Sequence, residues 1–244
     1  MNKKLWQRQM SLGEVLGEGF RLLQMNLIPF SLLVICTHAP LNLLRTFLSS
    51  IIPVEKYGVT NVSLVVSGIK WIDSFLGLIV FIGIAYILEK SLQGQIISFG
   101  DVFKFSFSRL SDVFWTSLLL SVIVLGLTLL LIIPGVIWSN NYSFTLAIVA
   151  LRNLKGRAAL EASKKLIYGQ WWRVFGIYTA IAIPALVITF PILMLSRKVS
   201  DIKFLYIFAP LTIFNIVGAI TTVMAIVLFL NTEYARDFQR QKHG

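Results

Sequence analysis

VFWTSLLLSVIVLGLTLLLIIPGVIWSNNYSFTLAIVAL, from Val113 to Leu151, runs 39 residues without a charged side chain, with Pro134-Gly135 near its middle. As one helix it would reach roughly 58 Å, about twice the ~30 Å hydrocarbon core of a bilayer. The stretch therefore predicts a helical hairpin that crosses a membrane, turns at Pro134-Gly135 and crosses back.

Working outward, charge-free runs at Leu22–Leu44, Ser74–Leu88, Val174–Ser196 and Phe204–Thr232 supply further crossings. With the hairpin they predict six spans, at about 27–50, 71–89, 113–133, 136–151, 174–196 and 205–231. The second and fourth are short, and a partly re-entrant path is open to either. Hydrophobic residues make up 57% of the 244, and mean hydropathy is +0.80, well outside the soluble range. The expected fold is all-α: one polytopic membrane helix bundle over residues 1–244, with amphipathic interfacial helices. Lys3, Lys4 and Arg8, then Glu14, Glu18 and Arg21, precede any long apolar run, so no cleavable signal is expected.

Basic residues set the expected orientation. The segments before, between and after the spans on one face carry 16 Lys and Arg, among them Lys104, Arg152, Arg157, Lys164 and Lys165. The opposite face carries five: Lys56, Lys70, Arg197, Lys198 and Lys203. By the positive-inside rule both termini are cytoplasmic. The +11 net charge then serves topology and anionic lipid, not nucleic acid. Arg157, Lys164 and Lys165 are the expected anionic-lipid contacts. Trp171, Trp172 and Arg173 are the expected interfacial anchors, with the Arg173 guanidinium toward lipid phosphates.

Ser11-Leu12-Gly13-Glu14-Val15-Leu16 is echoed by Ser98-Phe99-Gly100-Asp101-Val102-Phe103, and more faintly by Ala158-Ala159-Leu160-Glu161-Ala162-Ser163. Each suggests an interfacial helix with an acid in its first turn, followed by two spans: a threefold internal repeat.

Residues that could carry chemistry are few. Ionisable groups inside spans are costly and mark function by default, which singles out His38. Against that, Pro40 frees the Cys36 carbonyl of its helical donor, and a nearby imidazole is one group that could satisfy it. Arg45 shares the His38 face two turns on, close enough to the outer interface to snorkel. His38, Arg45, Asn140, Asn141, Tyr142 and Asn215 form a candidate polar cavity, with packing the competing role. Asp73 and Glu89 flank the second span. Cys36 reads as a small packing residue. Gly218, Ala219 and Thr222 give the last span a small face for close helix approach. Catalytic, metal-ligating and cofactor-binding motifs are absent, so no cofactor and no enzymatic activity are expected.

Leu131 to Trp138, Tyr142 to Leu151, Gly156 to Ser163 and Trp171 to Gly176 together resemble a set of bacterial membrane proteins. The set includes the YciC-like proteins and the membrane domain attached to some glycerophosphodiester phosphodiesterases. The best match covers residues 131–176, and 11–30 match more loosely. The resemblance implies a six-span bundle of the bacterial inner membrane and assigns no activity. The phosphodiesterase chemistry belongs to a separate barrel that this chain has no room for.

Three readings remain. The first is a non-enzymatic bacterial cytoplasmic-membrane protein acting on lipids or a membrane partner, which includes a second copy of itself. The second is a small permease-like transporter for an apolar or lipidic molecule. The third is an immunity or resistance protein against a membrane-active peptide.

Overall fold

The computed structural model describes residues 3–51, 54–95, 97–199 and 203–243; side chains at 3–4, 49–67, 70, 193–207 and 243 lie outside the description. The five basic residues expected on the outer face, Lys56, Lys70, Arg197, Lys198 and Lys203, fall among those undescribed side chains, as do Lys3, Lys4 and His243.

The chain forms α1 (Lys3–Trp6), α2 (Leu12–Met25), α3 (Leu27–Ile51), α4 (Val54–Leu92) and α5 (Phe99–Leu130). It continues as α6 (Ile132–Asn141), α7 (Thr145–Arg152), α8 (Arg157–Ile167), α9 (Trp171–Val199) and α10 (Lys203–His243). No strand occurs among the described residues. Among the described residues, five segments are long and apolar enough to cross a bilayer: Leu27–Leu48, Trp71–Leu92, Phe99–Leu130, Trp171–Ile192 and Phe208–Lys242. Much of their apolar surface points outward, as at Leu125, Leu129, Leu186 and Phe190. A soluble protein could not leave that much apolar surface in water. The protein is an all-α integral membrane bundle.

Residues 136–151, expected as one span, instead make α6, a turn at Tyr142–Phe144, and α7. Asn140, Asn141, Tyr142 and Ser143 put four polar side chains in a row, and such groups compete with helical backbone bonds. The broken pair still returns along α5. Gly135 lies against Thr128 near one end. Further on, the Gly156 N–H donates to Thr116 Oγ1 at 3.0 Å and Lys155 Nζ to Asp112 Oδ1 at 3.3 Å.

The hairpin turns at Leu131, in extended backbone (φ −157°, ψ 133°), and not at Pro134-Gly135. Pro134 falls in the first turn of α6, where a missing N–H leaves no helical bond unmade. Gly135 has a packing role: a Cβ there would sit 2.9 Å from Thr128 Cα. Only glycine lets α6 close onto α5 at this point.

The repeat holds in part. α2 starts with a full capping box, Ser11 and Glu14 exchanging side-chain and backbone bonds, which satisfies two otherwise orphaned N–H groups. Asp101 lies in the first turn of α5, but α5 runs into its span without a break. In α8 no acid lies in the first turn, since Glu161 comes later.

The core concentrates at one end of the bundle, where Ile82, Ile84, Ala85, Ile87 and Leu88 of α4 and Ile226–Leu230 of α10 are buried on every side. The basic segments converge there. Arg152 reaches Glu89 and Glu233, Arg109 bonds Asn153, and the Met10 N–H donates to Asn231 Oδ1 at 2.9 Å. Residues flanking both ends of the described chain therefore share one end of the bundle, called the basic end below.

Candidate functional site

A crevice of about 870 Å³ lies between α5, α6 and α9. Its walls are mostly apolar, with Leu120, Leu125, Val136, Leu146, Phe175 and Ala182. Polar groups gather where α6 ends, at Ser139, Asn140, Tyr142 and Ser143. The break between α6 and α7 makes this polar end. A helix broken inside a membrane must have its freed backbone groups satisfied by neighbours. Here Ser163, fully buried on α8, does so twice. Its hydroxyl donates to the Asn141 carbonyl at 2.9 Å and accepts from the Phe144 N–H at 3.2 Å. Tyr178 OH donates to the Ser143 carbonyl at 3.4 Å. The Asn140 amide donates to the Trp171 carbonyl at 3.2 Å, joining the break to the start of α9.

α8 is strongly amphipathic. Ala159, Leu160, Ser163 and Ile167 are buried, while Arg157, Lys164 and Lys165, the expected lipid contacts, are exposed. Lys164 Nζ lies 4.7 Å from the centre of the Trp138 ring, within cation–π range. Trp172 is largely exposed, as an interfacial anchor requires. Trp171 is less so, with its Nε1 3.5 Å from the Ile137 carbonyl.

Arg173 departs from its expected role. Its guanidinium turns inward, donating to the Met10 carbonyl at 2.9 Å, to Asn231 Oδ1 at 2.8 Å, to Gln170 Oε1 at 3.0 Å and to Thr232 Oγ1 at 3.2 Å. Asn231 Nδ2 in turn donates to the Arg8 carbonyl at 2.9 Å. A planar fork of five donors suits such a multi-point clasp. Nearby, Trp6 Nε1 donates to Glu18 Oε1 at 3.2 Å and Arg21 pairs with Glu18. The Arg21 bond, helped by Trp6, holds the Glu18 carboxyl below the ordinary glutamate range against the opposing effect of burial.

The six candidate cavity residues do not form one cavity. Asn140, Asn141 and Tyr142 belong to the break, whereas His38, Arg45 and Asn215 lie around a separate chamber between α3, α4 and α10. That chamber has a volume of about 270 Å³, with His38, Asp73, Ser74, Asn215 and Thr222 among its lining. His38 Nδ1 is 3.0 Å from Asp73 Oδ1, so the imidazole bonds the carboxylate and not the carbonyl freed by Pro40. Arg45 does not snorkel outward. It is buried, 3.6 Å from Asp73 Oδ2. Arg45 Nε, Asn42 Oδ1 and Asn215 Nδ2 are buried with no hydrogen-bond partner among the described residues, an expensive state in a low-dielectric setting. Gly218 faces open space, so the small face of α10 makes room for the chamber instead of a close helix contact. Cys36 is exposed on the outer surface of α3 and is not a packing residue.

The sequence reading noted Asp73 beside the second span and Ser163 in the third repeat copy but gave neither a site role, and it passed over Glu233 and Asn231. Ser163 could have been found, because it occupies a polar position inside the apolar stripe of α8. The partners of Asp73 and Asn231 come from other helices, and nothing local announces them. No protein-family model, curated protein or solved structure matches this chain.

Proposed function

We propose that this is a non-enzymatic, lipid-binding protein of the bacterial cytoplasmic membrane, with its basic end in the cytoplasm. The crevice between α5, α6 and α9 carries this reading. It offers an apolar trough of about 870 Å³ with polar groups at one end, the pattern of an acyl chain joined to a headgroup. Lys164 and Trp138 stand beside the polar end, where a cytoplasmic-leaflet phosphate would lie. The orientation follows from the excess of Lys and Arg in the segments that meet at the basic end. The occupant is one chain of a cytoplasmic-leaflet phospholipid.

Photoactivatable phospholipid with the reactive group on its acyl chain, co-reconstituted with the protein, tests this. Adducts are expected on Leu120, Val136 and Ala182, with severalfold loss in Ala182→Trp, which fills the trough. Adducts spread evenly over the outward faces of α3, α5 and α9, and indifferent to Ala182→Trp, would sink the proposal.

The His38–Asp73–Arg45 cluster favours a second reading, a small transporter, because ionisable groups around a chamber mark solute paths in membrane proteins. Labelling of Ser74→Cys in a Cys36→Ala background by a membrane-impermeant thiol reagent would support it. A thiol that only membrane-permeant reagents reach would count against it.

A further inference from the structure

A cleft of about 240 Å³ lies between α7, α8 and α10 at the basic end, separate from the crevice. Ala162, Lys165 and Leu166 enter it from one face of α8, and Glu233, Arg236, Asp237 and Arg240 from one face of α10. Ile148 and Leu154 complete its apolar wall, and Arg152 closes one side. Arg152 is engaged by Glu89 and Glu233. The Arg236 guanidinium donates to the Lys165 carbonyl, which fixes a cation at the rim. Lys165 and Arg240 are exposed, with no ion pair to a carboxylate among the described residues. Even counting Arg152 with both its carboxylates, and Asp237 against the other cations, the cleft keeps a net positive charge.

We propose that this cleft binds an anionic phosphate group, through Lys165, Arg236 and Arg240. Three cations on two helices converge where Arg152 and Leu154 leave the membrane-embedded part of the chain. Apolar walls behind them lower the local dielectric and strengthen each contact. A guanidinium fork pinned by a carbonyl is pre-oriented for phosphate oxygens. The phosphate comes either from the headgroup of an anionic phospholipid or from a soluble phosphate. The inference rests on the reading of the protein as lipid-binding and extends it to headgroup selection, at a site the crevice does not share.

The test uses the full chain in nanodiscs of phosphatidylcholine doped with phosphatidic acid, with bound lipid counted by native mass spectrometry. Selective retention of phosphatidic acid is expected. Loss of the Lys165 and Arg240 charges, K165Q with R240Q, is expected to weaken it about twenty-fivefold, at roughly fivefold per cation near the surface. Both side chains are exposed, so the variant should fold. The control neutralises two cations that do not line the cleft, K90Q with K104Q, and should retain phosphatidic acid as the parent does. Competition by inorganic phosphate assigns the soluble source, and its failure to compete assigns the headgroup; either result supports the phosphate site. Equal loss in the two double variants, or no loss in either, overturns it. Ala182→Trp separates the two readings, since it should cut acyl-chain labelling in the crevice severalfold and leave phosphatidic acid selectivity intact.

Discussion

Arg152, the last residue of α7, grips Glu233 of α10 with two parallel bonds, Nε to Oε1 at 2.8 Å and Nη2 to Oε2 at 2.6 Å. The same guanidinium reaches Glu89 on α4. One side chain thus ties three helices together where the broken return passage leaves the bundle. A two-pronged pair of this kind holds orientation as well as charge.

Replacing Glu233 with Ala is expected to cost about 1–2 kcal/mol, discounted because both side chains keep some solvent contact. The double variant with Arg152→Ala should cost clearly less than the two single losses added together. Reversible denaturant titration in detergent micelles measures all three. Simple additivity would show that the pair contributes no coupling.

Ser163→Ala removes one donor and one acceptor at once, leaving the Asn141 carbonyl and the Phe144 N–H without their partner. The expected cost is about 1–3 kcal/mol, the usual penalty for a buried polar group left unmatched. Hydrogen–deuterium exchange localises it. Amides at 142–146 should exchange faster in the variant while those of Ile226–Leu230 stay slow. Uniform acceleration across the bundle would contradict a local role at the break.

Acid should loosen the docking of α1 and α2. The Glu18 carboxyl is held below its ordinary range, chiefly by Arg21, so the folded state favours its ionised form. Its contribution is fully present above the unfolded value, about 4.3, and is lost as pH falls through the lower folded value. Exchange protection of residues 5–10 should be flat from neutral pH down to that region and drop below it. Glu18→Gln should weaken protection at neutral pH and remove most of the acid dependence. An unchanged acid profile in that variant would assign the loosening to another group.

Sequence alone revealed the membrane bundle because its signal is local and large: charge-free runs near bilayer length leave few alternatives. The side of the hairpin turn was harder to place. Pro134-Gly135 looks like a turn, yet proline is equally at home in a first helical turn, and Leu131 takes the bend. The fourth passage looked continuous because Asn140 to Ser143 are uncharged, and the groups that make their break tolerable, Ser163 foremost, lie some twenty or more residues on. Arg173 beside two tryptophans reads as a lipid anchor until Met10 and Asn231, each far away in sequence, are brought to it. His38 stands out in the sequence as an ionisable group within an apolar run and is buried, but its partner Asp73 sits on another helix. Local chemistry was legible, whereas pairings across helices were not.

The bond between Met10 and Asn231 has a consequence for biosynthesis. Residues 8–10 leave the ribosome early, and their docking surface is missing until α10 has been threaded into the lipid. Until then Trp6 has no Tyr234 to pack against, and Arg173 holds only part of its ligand set. The head of the chain must therefore wait, loosely associated, while the intervening helices insert. Its fastening can come only after α10 is in place, and a nascent chain halted before Asn231 would carry residues 8–10 unlatched and open to proteases.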